Sequence, residues 1–392
     1  MKYPLAMPSW GDEEYQAMQD VIASGMFTMG KHVAEFEKRF ASHFGSRHAV
    51  MVNSGSSANL LMVAALFYTN QAHLRLRRGD VIVVPAVSWA TTYSPLQQYG
   101  LKMRFVDIDR HTLNYDVEQL QAAMSDGKVK AIMAVNLLGN CNDFDKIRSL
   151  ADRAGAVLIE DNCESMGAKF NGKQAGTFGA MGTFSCFFSH HMSTMEGGMI
   201  ITDDPELAEI LTCLRAHGWT RNLPKQSLVC GTKSDDPFEE SFRFVLPGYN
   251  VRPLELSGAI GIQQLSKIEA FVDQRRSNAA LFTDAMSRLP HLEMQKEVGQ
   301  SSWFGFSVNA KQGLGIERKT LIDALAGAGF EVRPIVSGNF ARKEVVKHFD
   351  HEIVGSLENA DFIDVNGLFI GNHHVEMSEA IAAFEHAMSK LL

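Results

Sequence analysis

Apolar residues along the chain change their spacing from one stretch to the next, and the changes divide it. Around 13–24 and 33–44 they recur every three or four positions, which predicts two amphipathic helices; the second mixes acids and bases on its solvent side. Met51-Val52-Asn53 closes a short strand, and a third helix is expected from Ser56. Four short runs that follow are apolar almost throughout instead of alternating: VIVVPAV at 81–87, MRFVDI at 103–108, AIMAVNLLG at 131–139 and AVLIED at 156–161. A strand that is apolar on both sides is buried on both faces. Runs of this kind separated by helical stretches therefore predict a mainly parallel sheet with helices above and below it. In an α/β domain of that sort ligands gather beyond the carboxyl ends of the strands, so residues that carry chemistry should follow strands.

The pattern weakens after Thr202. Residues 218–247 are polar, with GTKSDD and FEES, and read as a long excursion of the functional or interfacial kind. From 254 a long helical pattern, ELSGAIGIQQLSKIEAFVDQRRSNAALFTDAMSRL, leads into a mixed region ending in EAIAAFEHAMSKLL. The expected organisation is a large domain over 1–253, then a linking helix and a smaller C-terminal α/β domain over 254–392.

Composition narrows the function more than the fold. The 392 residues are 45% hydrophobic and 21% charged, as in ordinary globular proteins. A net charge of -8 argues against nucleic acid as a partner, because a phosphate backbone needs a basic stripe, although a single phosphate can still be held by backbone amides. The five cysteines are odd in number and contain no C-x-x-C, so neither a disulfide framework nor a zinc knuckle is expected, and no metal is. The opening MKYPLAMPSWGDEEYQ has acids and a tryptophan where a secretion signal needs an apolar run. No stretch approaches the roughly 18 apolar residues of a membrane span, and a cytoplasmic location without membrane contact is the expectation.

Four strand ends carry candidate chemistry. Asn53-Ser54-Gly55-Ser56-Ser57-Ala58-Asn59 joins a strand to a helix, where unpaired amides and the helix dipole suit a phosphate; a plain cap by Ser56 or Ser57 is the alternative. Asp161 ends AVLIED, as a partner for a protonated ring nitrogen or as a turn acid, and Glu164 lies one helical turn on. Trp89 follows a strand in PAVSWATT and suits either stacking or the core. His190 and His191 sit in TFSCFFSHHMSTMEGG at 183–198, as an acid/base near neutral pH, as part of a metal site or as polar residues at a strand end.

The frame around His190 resembles the nucleotide-sugar aminotransferases, which use pyridoxal phosphate and share the aspartate-aminotransferase fold of type I enzymes. The family pattern is a serine in an apolar strand, a lysine five residues on, then an acid and two glycines. Ser185, Glu196, Gly197 and Gly198 keep that pattern, and His190 stands in the lysine's place. The resemblance runs along nearly the whole chain. Imidazole has no primary amine, so it cannot hold the cofactor covalently as lysine does, but it can exchange protons.

The resemblance implies that Gly55, Ser56, Ser57 and Ser185 take the cofactor phosphate, Asp161 the ring nitrogen, and that Trp89 stacks on the ring with Glu164 nearby. It implies that Asn250, in Gly248-Tyr249-Asn250-Val251-Arg252, reaches the site of a second copy in a homodimer with shared active sites. His217, Arg221 and Arg252 are candidates for the sugar or its pyrophosphate, with surface roles equally open for His217 and Arg221. His373 and His374 are expected at the surface. The implied reaction uses pyridoxamine phosphate to remove the C3 hydroxyl of a GDP-linked 4-keto-6-deoxy sugar, with glutamate renewing the amine and 2-oxoglutarate released. His190 and Asp161 would carry it. A sugar 4-aminotransferase lacks its lysine here, since Lys169 and Lys173 precede the motif strand. A CDP-sugar dehydratase would need thiolates for an iron-sulfur cluster, and this chain has only scattered cysteines. A non-catalytic relative is the remaining alternative.

Overall fold

The structure is a computed structural model and describes residues 2–391. Its centre is an eight-stranded sheet, in the order His48–Val52, Gly198–Thr202, Met181–Ser185, Val157–Asp161, Val129–Val135, Val81–Pro85, Lys102–Val106 and His351–Ile353. Gly198–Thr202 runs antiparallel to both its neighbours, and every other pairing is parallel. The apolar runs at 81–87, 103–108, 131–139 and 156–161 thus lie side by side; the first three end as strands a few residues before the run does, and the fourth ends with its run at Asp161.

Burial follows a period of two on both faces. Ile82, Val84, Met103, Phe105, Ala131 and Met133 point to one core, shared with the helices Gly55–Tyr68, Ala90–Gln98 and Pro205–Arg215. Val81, Val83, Val106, Ile132 and Ala134 point to the other, shared with Val117–Ala123 and Phe144–Ala154. Each face therefore removes a continuous apolar layer from water, the term that dominates folding free energy.

The long helix Glu255–Ser287 links this body to a second, antiparallel sheet of Leu292–Glu293, Gly305–Ala310, Leu368–Gly371 and Val332–Arg333. That sheet has its own core around Phe282, Phe306, Phe330 and Phe384. His351–Ile353, from late in the chain, returns to the edge of the large sheet beside Lys102–Val106. Contrary to expectation, His373 is buried, with Nε2 at 2.9 Å from the Pro4 carbonyl; the N-terminal segment covers it, and no local sequence pattern reveals that.

At its start the long helix also fixes the helix Lys31–Phe44. The Glu255 carboxylate, 2% exposed, accepts the amides of Gly30 at 2.6 Å, His32 at 2.7 Å and Val33 at 3.3 Å. It supplies the acceptors that the first turn of a helix lacks. Glu255→Ala should leave these amides unpaired and lower the unfolding free energy by about 2–4 kcal/mol. Urea unfolding checks this; an unchanged midpoint would show that water replaces the carboxylate without cost.

Candidate active site

At the carboxyl ends of the parallel strands lies a cavity of about 530 Å³. Its walls bring together Gly55, Ser56, Trp89, Asp161, Glu164, Ser185, His190 and Glu196, eight positions from four separate stretches of sequence. Phe304, Arg333 and Phe369 close it from the smaller sheet. No lysine lies among the described residues of the wall; Lys169 and Lys173 sit on a short hairpin elsewhere.

One end is made by the turn into the helix Gly55–Tyr68. The helix is capped by Ser54, whose Oγ accepts the Ser57 amide at 3.1 Å, not by Ser56 or Ser57. Ser57 faces away from the cavity, its hydroxyl 2.6 Å from Asn53 Oδ1. That arrangement leaves the amides of Gly55 and Ser56 for a ligand at the positive end of the helix. A side chain at Gly55 would stand 2.7 Å from Ser185 Cβ and 2.9 Å from Cys163 Sγ, and one at Gly198 only 2.2 Å from the Ser54 carbonyl oxygen. Glycine at both places lets strand and turn close around a small anion.

Asp161 ends its strand 5% exposed, with Oδ2 accepting from Asn59 Nδ2 and Thr92 Oγ1, each at 2.8 Å, and Oδ1 accepting the Cys163 amide at 3.1 Å. Asn59 is itself oriented by the Thr183 hydroxyl at 2.6 Å. Neither Asn59 nor Thr92 stands out in sequence, although Asn59 is the one amide in the otherwise apolar stretch NLLMVAALF. Trp89 precedes the helix Ala90–Gln98 and is 59% exposed, a wide aromatic face turned out at the cavity wall instead of buried in the core.

Glu164 and His190 are titratable groups in apolar surroundings. Burial pushes the Glu164 carboxyl up to about 7, against one stabilising contact from the Leu138 amide at 3.0 Å. Burial, and then the Arg275 guanidinium, push His190 down to about 4. The imidazole is flanked by Phe187 and Phe304, with ring centres at 5.9 Å and 5.2 Å, and its Nδ1 is buried without a partner. Nε2 is then the nitrogen with access to the cavity. His191 points elsewhere: it is buried, and its Nε2 lies 3.1 Å from the Ser302 carbonyl oxygen.

Besides Ser57, four predicted residues lie outside the cavity. Asn250, His217 and Arg221 are exposed and Arg252 is half-buried, all on the segment from 216 to 252. Arg252 Nε donates to Asn250 Oδ1 at 3.0 Å, and the Arg221 guanidinium lies 5.1 Å from the Trp219 ring. The same segment touches the phosphate turn, since Val251 O accepts the Asn53 amide at 3.0 Å. Phe304, Phe369 and Arg333 carry no signal in sequence, because the smaller sheet delivers them from far along the chain.

The donor set fits a pyridoxal-type cofactor: free helix amides and a serine for a phosphate, a fixed carboxylate for a ring nitrogen, an exposed indole for a flat heterocycle, and an orphaned imidazole nitrogen beside them.

Comparison with known proteins gives a concordant picture. The sequence model of the DegT/DnrJ/EryC1/StrS aminotransferase family matches residues 8–383. A GDP-4-keto-6-deoxy-D-mannose 3-dehydratase of Escherichia coli O55:H7 is 58% identical over 97% of this chain and 98% of its own length. Its counterpart from Yersinia pseudotuberculosis is 56% identical over 100% and 99%. A solved structure of GDP-4-keto-6-deoxymannose-3-dehydratase with a trapped PLP-glutamate geminal diamine superposes with a TM-score of 0.96 at 57% identity, covering 98% of this chain and 100% of that one.

The raised Glu164 value has a measurable cost. Its carboxyl holds a proton up to about pH 7 when folded, against an ordinary 4.5, so the folded state is penalised progressively from pH 4.5 upward and fully above pH 7. Glutamine keeps an acceptor for the Leu138 amide without the charge. In cofactor-free protein, Glu164→Gln should be more stable than the parent by about 1–2 kcal/mol at pH 8 and no more stable at pH 4. Thermal melts at the two pH values decide it, and equal stability at pH 8 would show a carboxylate that stays hydrated.

Proposed function

Because the chain belongs to the DegT/DnrJ/EryC1/StrS aminotransferase family, with histidine where the family's chemistry calls for lysine, we propose that it removes the C3 hydroxyl of GDP-4-keto-6-deoxy-D-mannose. The product is GDP-4-keto-3,6-dideoxy-D-mannose. The chain is a pyridoxal-phosphate-dependent dehydratase, and glutamate is its co-substrate. The carrying observation is His190, its Nδ1 buried and unpartnered, in a cavity wall that holds no lysine among the described residues.

When bound, the amine form of the cofactor would supply an amine for the C4 ketone and a ring that serves as an electron sink. The chain's own part is binding, shielding and proton transfer. The Gly55 and Ser56 amides with Ser185 Oγ hold the phosphate, Trp89 covers the ring, and Asp161, kept in place by Asn59 and Thr92, holds the ring nitrogen in its protonated state. His190 Nε2 takes a proton from carbon, and the imidazolium gives it to the departing C3 oxygen as water. An imidazole that titrates near 4 suits this pair of steps: it is a free base at neutral pH and, once charged in an apolar pocket, a strong acid. Overall the sugar gains two electrons, and glutamate supplies them as it becomes 2-oxoglutarate with release of ammonia. A lysine in the wall would instead hold the cofactor covalently and return the proton to carbon, giving an amino sugar.

Two copies form the working unit in this reading. Asn250, His217 and Arg221 are exposed on a segment that also bears Phe238, Phe242 and Phe244 at 88%, 74% and 53% exposure, so a second chain would bury the aromatics and receive the polar residues. His190→Asn and Asn250→Ala subunits, each weakly active alone, should regain activity on mixing. A mixture no better than its parts would place Asn250 outside the neighbour's site.

The reaction is tested by incubating the protein with pyridoxal phosphate, glutamate and GDP-4-keto-6-deoxymannose, then weighing the sugar nucleotide by mass spectrometry. Loss of the C3 oxygen is expected; a 4-amino sugar would return the chain to the aminotransferases. His190→Lys should attach the cofactor covalently, with a new visible absorbance, and slow dehydration at least about a hundredfold. A colourless, active lysine variant would contradict the role given to His190.

A further inference from the structure

We infer that Arg275 is a positioning residue for His190, clamping the Phe304 backbone so that its ring lies against the imidazole and setting an uncompensated positive charge behind it. The inference rests on the role given to His190 above. Arg275 lies within the long helix, 4% exposed and outside the cavity wall. Its Nη1 donates to the carbonyl oxygens of Phe304 at 3.1 Å and Asn372 at 2.5 Å, and its Nε is buried with no partner. The hydrogen-bond partners of this guanidinium are carbonyls, none of them a carboxylate. A buried charge without a counter-ion is costly, and two carbonyl dipoles repay it only in part.

The clamp acts on the segment that reaches His190. Asn372 Nδ2 donates to the Arg275 carbonyl at 3.0 Å and the Trp303 carbonyl at 2.8 Å, and Arg276 Nε donates to the Ser301 carbonyl at 3.0 Å. Ser302 and Phe304 donate their amides to Gly139 and Leu138. Trp303 has a left-handed backbone, φ 47°, which a bulky residue keeps only when its surroundings hold it there. What this hold presents is the Phe304 ring, 5.2 Å from His190 and 5.7 Å from His191.

The charges around His190 are divided. Asp161, Glu164, Glu196 and Arg333 line the cavity with it, together with the Cys163 thiol, and His191 follows it in the chain. Arg275 stands behind that wall and joins burial in pushing both His190 and His191 below the ordinary histidine range. A structural clip would need only donors. An electrostatic role needs the charge, so lysine should replace arginine better than glutamine does.

The test follows the protonation of His190 in two ways: diethylpyrocarbonate modification of His190 against pH in cofactor-free protein, read by peptide mass spectrometry, and the acid limb of kcat/KM in enzyme loaded with pyridoxal phosphate and glutamate. In Arg275→Gln both midpoints should rise by about one pH unit, with kcat lowered several-fold and KM within about twofold. Arg275→Lys should keep the parent midpoints. Phe304→Leu, which leaves the charge in place, should lower kcat without moving them. Midpoints unmoved in Arg275→Gln, or moved equally in Arg275→Lys, overturn the inference. So does a parent midpoint at or above about 6.5, which needs no variant. If the parent gives no dehydrated sugar, the proposed reaction fails, while the modification midpoints still decide the part of Arg275.

Discussion

The carboxylate of Asp161 is the point on which the site turns. It stands at a strand end in the cavity wall, only 5% exposed, so most of its hydrogen bonds must come from the protein. Asn59, from the first helix after the glycine turn, and Thr92, from the helix after Trp89, each donate to one oxygen, and Thr183 of the neighbouring strand orients Asn59. The same three contacts tie the phosphate turn, the indole and the His190 strand to one atom group. Moving any of these elements breaks a buried hydrogen bond, which explains how parts from four stretches of sequence hold one geometry.

His190 shows the opposite use of burial. A group at the cavity wall with one nitrogen orphaned and two aromatic rings beside it is disfavoured as a cation. Asp161 is held by three hydrogen bonds, whereas His190 Nδ1 is left without one, and burial then disfavours the charged imidazole. In an elimination that takes a proton from carbon and returns it to oxygen, a base that is weakly basic and quickly regenerated is an advantage. The lysine that would otherwise stand there does other work as well, holding the cofactor and returning the proton to carbon. In the proposed reaction, imidazole in that place takes away the competing outcome and still carries protons.

How far the sequence could be read depended on where each contact came from. The central strands were legible because burial on both faces leaves a continuous apolar run, and the first part of the site because its residues follow those strands at short distance: Gly55, Trp89, Asp161, Glu164, Ser185 and His190 all line the cavity. Ser57 faces away from it because Ser54, within the predicted turn, is the cap, not Ser56 or Ser57. Asn59 and Thr92 were hidden since their partner, Asp161, is 102 and 69 positions away. Phe304, Arg333 and the burial of His373 depend on the smaller sheet and the N-terminal segment meeting the large body, and no local spacing encodes such a meeting. Residues 218–247 were legible as an excursion, but their exposed aromatics acquire meaning only against a second surface.

Several features around the cavity run against stability: a carboxyl held to about 7, an imidazole held to about 4, an arginine without a counter-ion, and left-handed backbone at Leu138 and Trp303. They form one connected path, not a scatter. Glu164 accepts the Leu138 amide, the Leu138 carbonyl accepts the Phe304 amide, the Phe304 carbonyl accepts from Arg275, and the Phe304 ring meets His190. Strain at separate places would be removed singly by substitution at little loss. Strain along a path that ends on His190 is held together by the same bonds that set the Phe304 ring against it, so relieving one member displaces the next. The unfavourable terms therefore persist together, around the imidazole to which the proposed reaction assigns the proton transfers.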